Sequence, residues 1–228
     1  MNQINWQLPR TFLILLIICS LLIEFADFSD TAMGSPTFLY FGYGSNLLAK
    51  RIHINNPTAI RRGPAKLRDY RLDFSGFTAR WGGAAATIVP HKNKHVWGAL
   101  WELNTTDMSN LDRQEGVESK VYEPFEVDVE TPNGENFTAR TYRFIRNPPP
   151  AAPQNTLDLG SIFSQIPEDR QPSPEYRRVI VIGAYESDLP DDYIKTLEMI
   201  PHNGFNGSSG YNVIPQEEFY RSGPPENV

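Results

Sequence analysis

Residues 38–47 read Phe38-Leu39-Tyr40-Phe41-Gly42-Tyr43-Gly44-Ser45-Asn46-Leu47. The run 38–41 is apolar and aromatic, the composition of a short buried strand, and two glycines then punctuate it before residues 47–54 take on a helical pattern that ends at Asn55-Asn56-Pro57. A strand that turns through Gly-x-Gly into a helix exposes successive backbone N–H groups just ahead of a helix N-terminus, an arrangement suited to a carboxylate or an oxyanion. The same spacing also describes an ordinary tight turn. It is neither a dinucleotide fingerprint, since the third glycine is missing, nor a phosphate loop, since no Gly-Lys-Ser/Thr follows. Ser45 also stands outside a Gly-x-Ser-x-Gly elbow.

Around this stretch the chain alternates strands with short helices. Residues 66–74, 84–89 and 96–103 read as strands, with a polar turn between the last two, and 125–129 pairs with 137–145 across a Pro132-Asn133-Gly134 turn. Together they predict a curved sheet in a mixed α/β (α+β) fold. Ser173-Pro174 sets a cap and a first-turn proline for a helix over 175–185, and Asp188-Leu189-Pro190 opens a last helix with Tyr193, Leu197 and Ile200 on one face. Prolines crowd residues 147–172, which therefore form a long surface loop, and the Gly-, Asn-, Ser- and Pro-rich residues 201–228 read as a loosely ordered tail.

At 228 residues with 40% apolar content, the chain can bury one sizeable core, here assigned to residues 35–200. The net charge of −6 is spread without long single-sign runs, so no footprint for nucleic acid appears. The single cysteine, Cys19, lies in the N-terminal apolar stretch and leaves no disulfide, cysteine ligand cluster or cysteine nucleophile for the body of the chain. His91 and His95 are four apart but fall in the polar turn, and His53 and His202 have no spaced partner, so no metal is assigned.

Residues 1–34 differ from the rest. An apolar run over 12–23 follows Arg10, is too short for a comfortable span of the bilayer, and has the form of a secretory signal with small residues near 32–34 for cleavage. Secretion or an extracellular location is the expectation, with sequons at Asn104, Asn136 and Asn206 as glycan acceptors. Membrane anchoring by an uncleaved leader, and a cytosolic form starting at Met33, are the alternatives. No other membrane partner is expected, and a homodimer stays open.

The most informative helix is expected over 105–115. Asn104 stands at its cap, Asp107 in its first turn, and Gly116 after its end. Met108, Leu111 and Glu115 share one face, so the carboxylate points inward at the unfavourable end of the helix dipole. Both effects raise its pKa, which is what a proton shuttle needs. Periodicity alone leaves a solvated helix end equally open. A glycan on Asn104 would compete with the capping role.

Several motifs in one order resemble the γ-glutamylcyclotransferases. They are the 38–47 stretch, GAAATI at 83–88, Val96-Trp97-Gly98, Leu111-Asp112-Arg113-Gln114-Glu115-Gly116-Val117, Tyr122, Arg140-Thr141-Tyr142, Ser173-Pro174-Glu175-Tyr176 and Gly183-Ala184. The resemblance covers residues 37–200 and implies a small β-barrel-like domain with surrounding helices. It implies an enzyme that cyclises γ-glutamyl amino acids or short γ-glutamyl peptides to 5-oxoproline, a lyase reaction of glutathione metabolism, without a cofactor. By the same resemblance Glu115 is the proton acceptor, Tyr40, Phe41, Gly42, Tyr43, Gly44 and Ser45 bind the small-molecule γ-glutamyl substrate, and Phe144 lines the pocket. Tyr122, Tyr142 and Tyr176 match positions around it, where a core role with a satisfied hydroxyl is an equal reading. Relatives specific for glutathione or γ-glutamylamines share the loop, and Asn46 favours the γ-glutamyl amino acid branch. The rival from another class is a secreted, non-catalytic binding protein that keeps the fold. The leader, and a 147–172 loop that reads as an insertion, depart from the family pattern.

Overall fold

In a computed structural model, residues 35–149, 166–207, 210, 211 and 213 are described. The leader, most of the proline-rich loop and most of the tail lie outside the described residues. Five strands close into a barrel in the order β1-β3-β2-β4-β5. They are β1 (Thr37–Gly42), β2 (Ile60–Thr78), β3 (Gly83–Asn104), β4 (Tyr122–Glu130) and β5 (Asn136–Phe144). All neighbours are antiparallel except β1 and β5, which meet in parallel at Tyr40 and Arg140 and close the barrel. Closure leaves no open sheet edge, so the two faces of the barrel wall divide between core and surface. The fold is α+β, with a barrel that periodicity alone does not reveal.

The turn expected between 84–89 and 96–103 is present, but β3 continues through it. The register steps from Tyr70↔Pro90 to Arg68↔His95, so residues 91–94 face only Asp69. Asn93 and Asp69 both take positive φ, at 64° and 60°, and the Asn93 N–H donates to Asp69 Oδ1 at 2.8 Å. Because β2 pairs on both sides, a local turn signal is absorbed as a bulge. His91 and His95 lie at its two ends. Among the described residues no group of three or more His, Cys, Asp or Glu is placed to hold a metal, and no helix is long and apolar enough to cross a membrane.

The α-helices among the described residues are α1 (Ala49–Ile52), α2 (Met108–Gln114), α3 (Pro174–Glu186) and α4 (Asp191–Glu198). α3 starts as its sequence dictates, with the Ser173 hydroxyl accepting the Tyr176 N–H at 3.1 Å and Pro174 at the first helical position. Tyr176, Val179, Ile180, Gly183 and Ala184 form its buried stripe at helical spacing. Replacing the fully buried Ser173 by alanine removes the cap, and the expected cost is about 1 kcal/mol in the urea unfolding free energy. An unchanged midpoint would show that the cap carries no stability. On α4 and just after it, Tyr193, Leu197 and Ile200 are buried together, as their spacing requires.

One cap differs from expectation. The Asn104 side chain makes no capping bond, because Asn104 is the last residue of β3 and the chain passes through a 3₁₀ turn, Thr105–Asp107, before α2 begins. Asp107 holds this junction instead: its Oδ2 accepts the Thr58 N–H at 3.1 Å and the Thr58 hydroxyl at 2.7 Å. The capping argument against a glycan on Asn104 therefore does not apply. The C-terminal end is as read. Gly116 has φ +66°, its N–H bonds the Arg113 carbonyl, and the Val117 N–H reaches back to Asp112, the two bonds of a Schellman motif. This places Glu115 at the C-cap, one residue past the end of α2, with its direction set on both sides.

From Pro201 the described chain has no regular secondary structure but is tied down. Asn203 N–H donates to the Pro172 carbonyl and Asn203 Nδ2 to the Gly82 carbonyl, and Tyr211 stacks on Trp81 with centroids 4.6 Å apart.

Candidate active site

β1 delivers its last residues to one end of the barrel, where Gly42 is followed by Tyr43, Gly44 and a 3₁₀ turn over Ser45–Leu47. A Cβ on Gly44 would stand 3.2 Å from both the Ala86 Cβ and the Tyr176 hydroxyl, so the loop backbone lies against β3 and α3. Tyr40, Tyr43, Gly44 and Ser45, with Asn46 beside them, line a narrow chamber that also receives Ala86, Glu115 and the rings of Tyr122, Tyr142 and Tyr176. Phe41 and Gly42 are buried but do not line it. The Phe41 ring packs near Tyr43 and over Gly98, where a Cβ would fall 2.6 Å from that ring. Phe144 likewise stands behind the chamber, edge-on to Tyr122 at 5.5 Å and over Gly76.

Glu115 is half-buried and its Oε1 accepts two N–H groups, from Asn46 Nδ2 at 3.1 Å and Gln114 Nε2 at 3.1 Å. Gln114 Nε2 also donates to Asn46 Oδ1 at 3.0 Å, and Arg51 Nη1 donates to Gln114 Oε1 at 3.0 Å. Among the described residues Oε2 has no bonded partner. The carboxyl pKa is raised, chiefly by burial, and nearby Asp112 adds to this; Arg51 and the two amide donors pull it back only in part. Sequence reasoning missed Gln114 and gave Asn46 no role in the site. Sixty-eight residues separate them, and no local periodicity carries that contact.

The five tyrosines divide by what they do with their hydroxyl protons. Tyr43 donates to the Tyr142 carbonyl at 2.5 Å, Tyr122 to the Ala86 carbonyl at 2.8 Å, and Tyr142 to Asp112 Oδ1 at 2.5 Å. Those three protons are committed to structure. Tyr176 instead accepts the Ala86 N–H at 3.0 Å, and Tyr40 accepts Asn46 Nδ2 at 2.9 Å, so each keeps its proton for a further acceptor. Burial pushes the Tyr176 phenol up to about 12 and raises Tyr40 well above its ordinary value, so both remain neutral donors. Asp112 also accepts Arg140 Nη2 at 2.6 Å and anchors α2 to β5.

The chamber shares Ser45, Glu115, Tyr122 and Tyr176 with a wider neighbouring cavity of about 250 Å³. A larger cavity of about 560 Å³ sits by the β4–β5 turn; of its charged side chains Arg62 and Glu102 pair with each other, and Glu135 accepts from Asn133 Nδ2 at 2.8 Å. The tyrosine chamber, which holds the Glu115 carboxyl of raised pKa, is therefore the candidate site.

A model of the AIG2-like family matches residues 95–197. The γ-glutamylcyclotransferase of Bos taurus is 40% identical over 175 residues, spanning 75% of this chain and 82% of the relative. That of Homo sapiens is 37% identical over 202 residues, spanning 87% and 95%. A solved structure titled gamma-glutamyl cyclotransferase superposes with a TM-score of 0.68 at 34% identity, covering 81% of this chain and 98% of the other. The chain belongs to the γ-glutamylcyclotransferase family.

Proposed function

We propose that this site cyclises γ-glutamyl amino acids or short γ-glutamyl peptides to 5-oxoproline, releasing the amino acid or peptide as a free amine. The observation that carries the reading is Glu115: a carboxyl of raised pKa in the chamber lining, held through one oxygen by Asn46 and Gln114, with its other oxygen unbonded among the described residues. The reaction needs a proton taken from the substrate α-ammonium, attack of that nitrogen on the γ-carbonyl carbon, and a proton returned to the departing nitrogen. Glu115 Oε2 can accept the first proton and deliver it to the leaving group, and its raised pKa brings it nearer the range where both transfers are efficient. The negative charge that develops on the γ-carbonyl oxygen needs donors. The hydroxyls of Tyr40 and Tyr176 are the chamber phenols with protons to offer, alongside the backbone of the 43–46 loop. A curled substrate closes a five-membered ring readily once the chamber holds its two ends together.

The test is 5-oxoproline release by the full chain from a panel of γ-glutamyl amino acids and glutathione. No product from any of them, with folded protein, would overturn the reading in favour of the binding-protein alternative. Within the reaction, Tyr176→Phe removes one free donor, and kcat should fall about tenfold, the scale of one hydrogen bond. Tyr122→Phe removes a hydroxyl already committed to the Ala86 carbonyl, and it should cost stability rather than rate. Equal rate losses in the two variants would contradict the division of the tyrosines.

The apolar leader and the three sequons support secretory entry as a companion proposal. N-terminal sequencing of the protein recovered from cells and from medium decides it: a chain found only inside cells, with residue 1 retained, would refute secretion.

A further inference from the structure

The wider cavity outside the tyrosine chamber holds a buried arginine. Arg51, on α1, is only 3% exposed and lines the cavity with Arg80, Trp81 and Tyr211. Its guanidinium carbon stands over the Tyr211 ring, 4.0 Å from the ring centre, and Arg80 Nη1 donates to the Tyr211 hydroxyl at 2.9 Å. An aromatic ring attracts the cation but accepts no N–H in the guanidinium plane, so those groups still need acceptors. One of these goes to Gln114, while the buried Nε has no hydrogen-bond partner among the described residues. No carboxylate among the described residues forms an ion pair with Arg51. Its charge lowers the Glu115 pKa without forming an ion pair with it, and a carboxylate entering this cavity would give the guanidinium a direct anionic partner.

The position of the cavity says which carboxylate. Glu115 must reach both the attacking and the departing nitrogen, so the scissile bond sits beside it, at the boundary shared by the two cavities. With the γ-glutamyl part in the tyrosine chamber, everything beyond the departing nitrogen projects into the wider cavity. We propose that Arg51, roofed by Tyr211 from the C-terminal segment and flanked by Arg80, forms a subsite for the carboxylate of the departing amino acid. This rests on the cyclotransferase reading above and assigns the leaving-group side of the same site. Residues beyond 200 thereby become part of the substrate-binding surface, which sequence reasoning had treated as tail.

The experiment compares γ-glutamyl-alanine with γ-glutamyl-ethylamine, whose leaving amine differs only by the missing carboxylate. For the full-length wild type, kcat/KM should favour the alanine compound roughly ten- to a hundredfold, the range for a hydrogen bond to a charged group. Arg51→Met should bring the two substrates within about threefold of each other, chiefly by raising KM for the alanine compound. Tyr211→Ala should narrow the ratio less, because it removes the roof and keeps the charge. An Arg51 that acted only on the charge of Glu115 would lower both substrates by the same factor and leave the ratio intact, and that result would overturn the subsite. A measurement on the wild type alone guards against a variant that fails to fold: free alanine should inhibit as a product far better than ethylamine, and equal inhibition would also overturn the subsite. Equal wild-type turnover of the two substrates removes the subsite while the cyclotransferase reading stands. Absence of 5-oxoproline from both removes the reading and the subsite together.

Discussion

Glu115→Gln should lower kcat for 5-oxoproline release by about a hundredfold or more while leaving the protein folded. The substitution is nearly isosteric, and a glutamine oxygen at the Oε1 position can still accept from Asn46 and Gln114. What it removes is the proton transfer, and general acid and base groups commonly contribute on that scale. A pH signature separates this from damage to the fold. Burial raises the carboxyl pKa in the folded protein, so between the ordinary carboxylate pKa and the raised one the folded state holds more protons than the unfolded. In that window stability falls as pH rises, and above it the folded protein bears the full cost of a desolvated charge. Glu115→Gln should therefore be more stable than the wild type at neutral pH, with the difference vanishing below the ordinary carboxylate pKa. For activity the sign is opposite, because the base works only when ionised. Wild-type kcat/KM should fall as pH drops through the raised pKa. A variant that loses activity and is also less stable than the wild type at neutral pH would indicate a structural carboxylate rather than a base.

The second large effect lies behind the loop. Gly183 faces the 3₁₀ turn from the middle of α3, and a Cβ there would stand 2.4 Å from the Leu48 nitrogen and 2.6 Å from the Leu47 carbonyl carbon. These are backbone atoms, so no rotamer change relieves the clash and the helix or the loop must move. Alanine favours a helix over glycine by roughly 1 kcal/mol, while overpacking commonly costs about 1–3 kcal/mol and more where backbone is struck. The clash should win. Gly183→Ala is expected to lose about 2 kcal/mol or more in urea unfolding, and the bonds that Ser187 Oγ and Arg61 Nη2 make to the Leu47 carbonyl would be disturbed with it. Because Ser45 and Asn46 lie in the same turn, kcat/KM should fall as well, by up to about a hundredfold for a displacement near 1 Å. An unchanged unfolding midpoint with full activity would mean that the close packing of α3 on the loop is not what positions it.

Local chemistry made much of this legible in advance. Ser173-Pro174 is a cap whatever surrounds it, and the Pro132-Asn133-Gly134 turn joins two alternating runs into the β4–β5 hairpin. Gly116 can end α2 in a left-handed conformation at no steric cost, and the 3.6-residue period then turns Glu115 toward Leu111 and the interior. These are consequences of a few neighbouring residues and need no fold. Where a local signal competed with distant partners, the partners prevailed. The turn at 91–94 became a bulge because β2 pairs on both sides of it, and Asn104 stayed in β3 while Asp107 took hold of Thr58.

By itself, then, the sequence determined the strand-loop-helix opening, the inward carboxylate at the end of α2 and membership of a family through motifs kept in one order. Only the tertiary structure decided the closure of the barrel and the pairing of Glu115 with Asn46 and Gln114. It also decided which tyrosines keep a free proton, and it brought Arg51 beneath Tyr211 in the neighbouring cavity. The physical reason is range. Helix faces, caps and turns follow from dihedral preferences within a few residues, whereas the direction of a hydroxyl proton or the partner of a buried arginine depends on atoms tens to more than a hundred residues away in the chain, brought near only when the barrel closes.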